Sequence, residues 1–225
     1  MEAIEVIIKE SLKELKQIGS ENEKSNILQK SKLIFPKYCC GEHKGEKRVS
    51  EQEARLLFIR ELEKKDHFYY YSIETPTSKL YNFSDKNGPI IIPDNGKNGQ
   101  SASFDLTLYK ENKRRHFIEF KNGNVNTVKK DFLKLLCDRD NTDNFFINIV
   151  DRKNLHTRST LKSIKDKYQD AINYIENKID QEQHTNSTLI IILFNIRDGH
   201  LVLFNKITLN GNIKIKEIEQ KNDIL

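Results

Sequence analysis

Apolar and polar residues alternate along Ser101-Ala102-Ser103-Phe104-Asp105-Leu106-Thr107-Leu108-Tyr109. A period of two marks a half-buried strand, with Phe104, Leu106 and Leu108 on one face and Asp105, Thr107 and Tyr109 on the other. His116-Phe117-Ile118-Glu119-Phe120-Lys121 reads as a second strand. In it Ile118 and Phe120 share a face, while Glu119 and Lys121 point together to the opposite side. The polar, charge-rich run from Lys110 to Arg115 is the turn of a hairpin joining the two.

Around this hairpin the period changes to that of helices. Ile4, Ile7, Ile8, Leu15 and Ile18 form one stripe of an amphipathic helix over residues 1–18, ended by Gly19. Residues 20–49 are polar and irregular, with a short apolar patch at Leu33-Ile34-Phe35 before Pro36, and read as a linker or wrapping segment. Ser50-Glu51-Gln52-Glu53 is a capping box that opens a second helix, running to about Lys65. Residues 67–73 form an aromatic strand that Glu74-Thr75-Pro76-Thr77 breaks, and Pro89-Ile90-Ile91-Ile92-Pro93 is a short bounded strand. The strand tyrosines are expected in the core, with base stacking as the alternative.

After Lys121, Asn122-Gly123-Asn124 turns the chain, and Asn126 or Thr127 caps a helix from Val128 to about Cys137. Val128, Phe132, Leu135 and Leu136 are its buried face, and Lys129, Lys130 and Lys134 lie on the rest. Phe145 to Val150, almost wholly apolar, is a central strand. A long helix spans Arg158 to Ile179, with Leu161, Ile164, Tyr168, Ile172 and Ile175 inward. Three strands close the chain, Thr188 to Ile196, Leu201 to Leu209 and Ile213 to Ile218, hinged at Arg197-Asp198-Gly199 and Asn210-Gly211. The order predicts an α/β protein with a mixed central sheet flanked by helices. Residues 1–49 read as an N-terminal helical and irregular extension, and 50–225 as the main domain.

Composition narrows the function only a little. The chain has 225 residues, enough for one sizeable core, and a net charge of +5 with a pI near 8.9. That balance is compatible with a polyanionic partner without demanding one. Long apolar runs and a signal-like N-terminus are both missing from the pattern, so no membrane is expected and a cytoplasmic location is the default. Cys39, Cys40 and Cys137 do not form a disulfide framework, and Cys39-Cys40-Gly41-Glu42-His43 lacks the ligand spacing of structural zinc. No phosphate-binding glycine loop, H-E-x-x-H or nucleophile elbow occurs.

The candidate chemistry sits on the hairpin. Asp105 on one strand can converge with Glu119 and Lys121 on its neighbour. Two acids so placed hold a hard divalent cation through oxygen, and the lysine reaches the same point. On the second helix, Glu51 falls within the apolar stripe of Ala54, Leu57, Phe58 and Leu62, where a carboxylate needs a partner. Its alternative role is a solvated acid at a helix start, favourable to the dipole. Glu53, on the opposite side, is the cap. Glu74 is a reserve ligand at a strand end.

Asp105 with Glu119-Phe120-Lys121 resembles the PD-(D/E)XK nuclease superfamily, over roughly Ser50 to Val150. The resemblance implies a restriction-endonuclease-like core and a Mg²⁺-dependent endodeoxyribonuclease, with Mn²⁺ able to substitute. It assigns Asp105, Glu119 and the Phe120 backbone carbonyl to the metal, Lys121 to the attacking water, and Glu51 as a further metal-site acid. Phe104 stands where the motif has proline. A literal Pro93-Asp94 lies upstream, but within a turn-forming run, whereas Asp105 lies in a regular strand that can hold a ligand rigid. Lys129, Lys130 and Lys134 would then face the phosphates of nucleic acid, DNA in the first instance. A homodimer and a role in restriction or phage defence are further expectations. The alternative is a non-catalytic nucleic-acid-binding or interaction module on the same scaffold.

Overall fold

The computed structural model describes residues 2–20, 33, 49–65, 68–83, 89–92, 99–123, 128–138, 142–155, 157–178, 186–209 and 212–221. The proposed caps Asn126 and Thr127, Pro93-Asp94, Asn210-Gly211 and the Cys39–His43 run lie outside them.

Among the described residues the helices are α1 (Glu2–Ser20), α2 (Glu51–Lys65), α3 (Val128–Cys137) and α4 (Arg158–Lys178). The strands are β1 (Tyr70–Asn82), β2 (Ile90–Ile92), β3 (Gln100–Lys110), β4 (Lys113–Asn122), β5 (Asp143–Val150), β6 (Thr188–Asn195), β7 (Leu201–Leu209) and β8 (Asn212–Lys221). They form one mixed eight-stranded sheet in the order β2-β1-β3-β4-β5-β6-β7-β8. The β4–β5 and β5–β6 pairs are parallel and the other pairs antiparallel. The protein is therefore α/β with a mixed sheet flanked by helices. Among the described residues, no helix is long and apolar enough to cross a membrane.

Crossovers between adjacent parallel strands are overwhelmingly right-handed, so β4-α3-β5 and β5-α4-β6, stepping the same way along the sheet, put both helices on one face. Phe117, Phe132, Phe146, Tyr168 and Ile191 form the cluster beneath them. α1 and α2 cover the other face, where Ile4, Leu12, Phe58, Ile118, Phe120 and Ile147 share a second cluster. The predicted α1 stripe is wholly buried. The Ser50 cap is formed as read: the Ser50 N–H and Oγ–H both donate to Glu53 Oε2.

Three local readings change. The hairpin turn is shorter than Lys110–Arg115: Glu111 and Asn112 alone make it, at φ 53° and 59°. Two left-handed residues form the tight turn whose twist matches a β-ribbon. Glu74-Thr75-Pro76-Thr77 does not break the first strand, and β1 runs through it. Pro76 is tolerated because β2 pairs only with Leu80 to Asn82, so no ladder bond is required on that side at Pro76. The register then shifts between Pro76 and Leu80. Finally, Phe104 does not share a cluster with Leu106 and Leu108. It stacks on Phe117 beneath α3, ring centroids 4.1 Å apart, while Leu106 and Leu108 pack on the α1–α2 side. Strand alternation is lost at Asp105. Of the tyrosines, Tyr81 belongs to the cluster beneath α3 and α4, Tyr69 and Tyr71 pack at the edge of the α1–α2 cluster, and Tyr70 is exposed.

Asp138, just past α3, fastens that helix to the irregular part of β1. Its carboxylate accepts from the Ser78 N–H (2.8 Å), the Lys79 N–H (3.0 Å) and the Tyr81 hydroxyl (3.1 Å). Asp138→Ala orphans all three donors and is expected to cost about 2–4 kcal/mol in urea unfolding. A loss below about 1 kcal/mol would show that water replaces the carboxylate there.

Candidate active site

β3 and β4 pair regularly from Lys110↔Lys113 to Leu106↔Ile118, apart from one shift after Leu108. Beyond Leu106 the side chain of Asp105 takes over from the backbone, and its Oδ2 accepts from the Phe120 N–H at 2.7 Å. The strands part at this point, and a polar cavity of about 380 Å³ opens between them and α3. Asp105, Glu119, Phe120 and Lys121 line it, together with Glu51 from the first turn of α2. All the residues assigned to the metal and the water thus border one space. Glu51 is held there because its Oε1 accepts from the Asn122 N–H (2.9 Å), while the Asn122 amide donates to Val49 O (2.6 Å), tying the start of α2 to the end of β4.

Glu119 is buried, only 5 % exposed, yet its carboxylate faces this cavity and not an apolar cluster. Burial pushes it well above the usual glutamate range; Lys134 pulls it back, and Asp105 and Asp131 push it further. Burial also raises Asp105, against the Phe120 N–H, Lys134 and Arg55, with Glu51 adding to the rise. Asp105 therefore lies within the electrostatic reach of Glu51, and Glu119 within that of Asp105.

The lysines divide differently from the sequence reading. Lys134 is not on an outward face: it is 3 % exposed. Its ammonium donates to Glu119 Oε1 at 2.6 Å and to Ser103 O at 2.8 Å, and lies 3.6 Å from Asp131 Oδ1. Burial works against its charge, but Glu119 and Asp131 outweigh that and hold it above the usual lysine range. Lys121 lines the cavity as expected, but the ammonium bonded to Glu119 belongs to Lys134. Lys130 is exposed at the cavity's edge, 5.1 Å from the Phe83 ring centroid. Lys129 lies over Tyr174 of α4, 4.6 Å from its centroid.

Arg55, also unread in the sequence, braces Asp105 from α2. Its Nη1 is 3.8 Å from Asp105 Oδ1 and donates to Glu74 Oε1 at 2.6 Å. Glu74, at φ 51°, also accepts from Ser103 Oγ at 3.1 Å. The Arg55 hydrogen bond holds its carboxyl below the usual range. The reserve acid therefore supports an arginine beside the site.

No protein-family model and no curated protein matches the chain.

The donors suit a hard divalent cation in kind: all are oxygens, on rigid strands and a helix start, and a cation relieves the mutual repulsion of Asp105, Glu119 and Glu51. As arranged, no group of three or more His, Cys, Asp and Glu among the described residues converges on one metal position. Each acid already has a partner: Phe120 N–H, Lys134 and Asn122 N–H respectively.

Proposed function

We propose that the protein is a Mg²⁺-dependent phosphodiesterase of the PD-(D/E)XK kind, hydrolysing nucleic acid and acting on DNA as its first substrate. The observation that carries this reading is the meeting of Asp105, Glu119, Glu51 and Lys121 around one polar cavity. Asp105, Glu119 and the Phe120 carbonyl would hold the ion, with Glu51 as the further acid. When bound, such an ion activates water and stabilises charge on the phosphoryl group in flight. Lys121 orients the water or clamps the phosphate. Lys130, at the cavity's edge, meets a neighbouring phosphate. Arg55, 3.8 Å from Asp105, favours its charged form alongside the Phe120 N–H and Lys134. A cytoplasmic setting in restriction or phage defence, and a homodimer that cuts both strands, belong to the same proposal.

A second reading is favoured by one specific contact. Lys134 already neutralises Glu119, as it would in a non-catalytic module whose acids are structural. Incubation with plasmid, linear and single-stranded DNA and with RNA separates the two, each in Mg²⁺, Mn²⁺ or EDTA. Cleavage of DNA in either metal, none in EDTA, is the expected result. Intact substrates throughout, with no thermal shift on adding metal, would favour the binding module.

A further inference from the structure

The ammonium of Lys134 sits where a cation is wanted. It is buried, bonded to Glu119 and the Ser103 carbonyl, and close enough to Asp105 to pull its titration down. A second acid waits one helical turn back. Asp131 is 8 % exposed, and its Oδ1 stands 3.6 Å from the same nitrogen, beyond a direct hydrogen bond. α3 thus carries both the cation that occupies Glu119 and an alternative anion to receive it.

We propose that Lys134 is the resident counter-ion of this site: it holds Glu119 until a divalent cation arrives, then gives up the carboxylate and turns to Asp131. The inference rests on the metal-site reading above. It explains how three acids can face one cavity, each with a partner of its own. Burying Glu119 without a positive partner would be prohibitive. A resident lysine makes the empty state stable, and the swap leaves no charge unpaired, because the departing ammonium moves from one carboxylate to another on its own helix. Lys121, two residues along β4, remains at the cavity wall for water or phosphate, so the two lysines have different work. Lys134 is a positioning residue here, acting through Glu119.

Mn²⁺ titration by calorimetry on the full chain, metal-free at the start, tests this through affinity and not through activity. In Lys134→Met the competitor is gone, and Mn²⁺ is expected to bind about tenfold or more tightly. In Lys134→Arg the charge is kept, but the planar guanidinium can fork onto Glu119 with two bonds. Mn²⁺ should then bind about tenfold more weakly. Long-range electrostatics alone would leave the arginine variant at the wild-type affinity. That result, or weaker binding by the methionine variant, overturns the role given to Lys134 while leaving the metal site standing. Where the methionine variant does not fold, the arginine variant decides alone. If the wild type and both variants fail to bind Mn²⁺, the metal-site reading fails and this inference with it.

Discussion

Asp105→Ala is expected to remove divalent-cation-dependent cleavage, with a loss of at least about a thousandfold in rate. Asp105 stands at the point where β3 and β4 part, between the Phe120 N–H and Arg55, and opens on the cavity. Truncation removes a ligand and also orphans a backbone donor, at a cost of about 1–3 kcal/mol. Asp105→Asn separates the two effects. Its amide oxygen can still accept from Phe120 N, so the strands keep their separation, but the negative charge is gone. Cleavage should fall as far in Asp105→Asn as in Asp105→Ala, with urea midpoints near wild type only in the asparagine variant. Undiminished, metal-dependent cleavage by Asp105→Asn would remove Asp105 from the site and the assignment with it.

The hairpin that carries this residue was readable because apolar and polar residues alternate in the sequence from Ser101 to Tyr109. Glu51 was readable for a related reason: an acid within an apolar stripe has to be answered by something, and here the Asn122 N–H and the cavity answer it. The face of Phe104 was not readable. A strand pattern assumes an unbroken ladder, and at Asp105 a side chain replaces the ladder bond, so Phe104 moves to the opposite cluster while Leu106 keeps its place. Pro76 misled in the same way. Its effect on a strand depends on which neighbour lies alongside, which only the whole sheet determines.

Lys134 shows where helical periodicity stops being informative. The wheel of α3 assigns lysines to the outside by default, and it is right for the exposed Lys129 and Lys130. From Asp131 to Asp138, however, every residue is buried, because α3 lies between the sheet, α4 and the irregular part of β1. Asp131, Lys134 and Asp138 recur at intervals of three and four, which makes them a polar stripe turned inward. The stripe was present in the sequence, but its partners lie on β1, β3 and β4 and could not be matched to it from one helix alone.

The same buried pair yields the largest stability change to be expected. Lys134→Met leaves Glu119 inside the protein without its cation and should cost about 3–5 kcal/mol at pH 8. The sign of the pH dependence follows from which form burial favours. Burial already raises Glu119 above its ordinary value of 4.5, and losing Lys134 removes the main force opposing that rise. A carboxyl raised on folding binds more protons folded than unfolded, so its contribution is present at low pH and lost as pH rises through the folded value. The methionine variant should therefore be closest to wild type near pH 5 and furthest from it at pH 8. Wild type should decline less across that range, because Lys134 opposes the rise of Glu119. Its Lys134 is raised above the ordinary 10.5, so the ammonium persists until the pH climbs past the lysine range. Adding Glu119→Gln to the methionine variant removes the stranded charge and should recover most of the loss at pH 8, flattening the profile. Urea midpoints at the two pH values, for wild type and both variants, measure this directly. A methionine variant that loses under about 1 kcal/mol at pH 8 would mean that Glu119 takes up a proton or water there without difficulty, and that Lys134 is not what keeps an acid in this wall of the cavity.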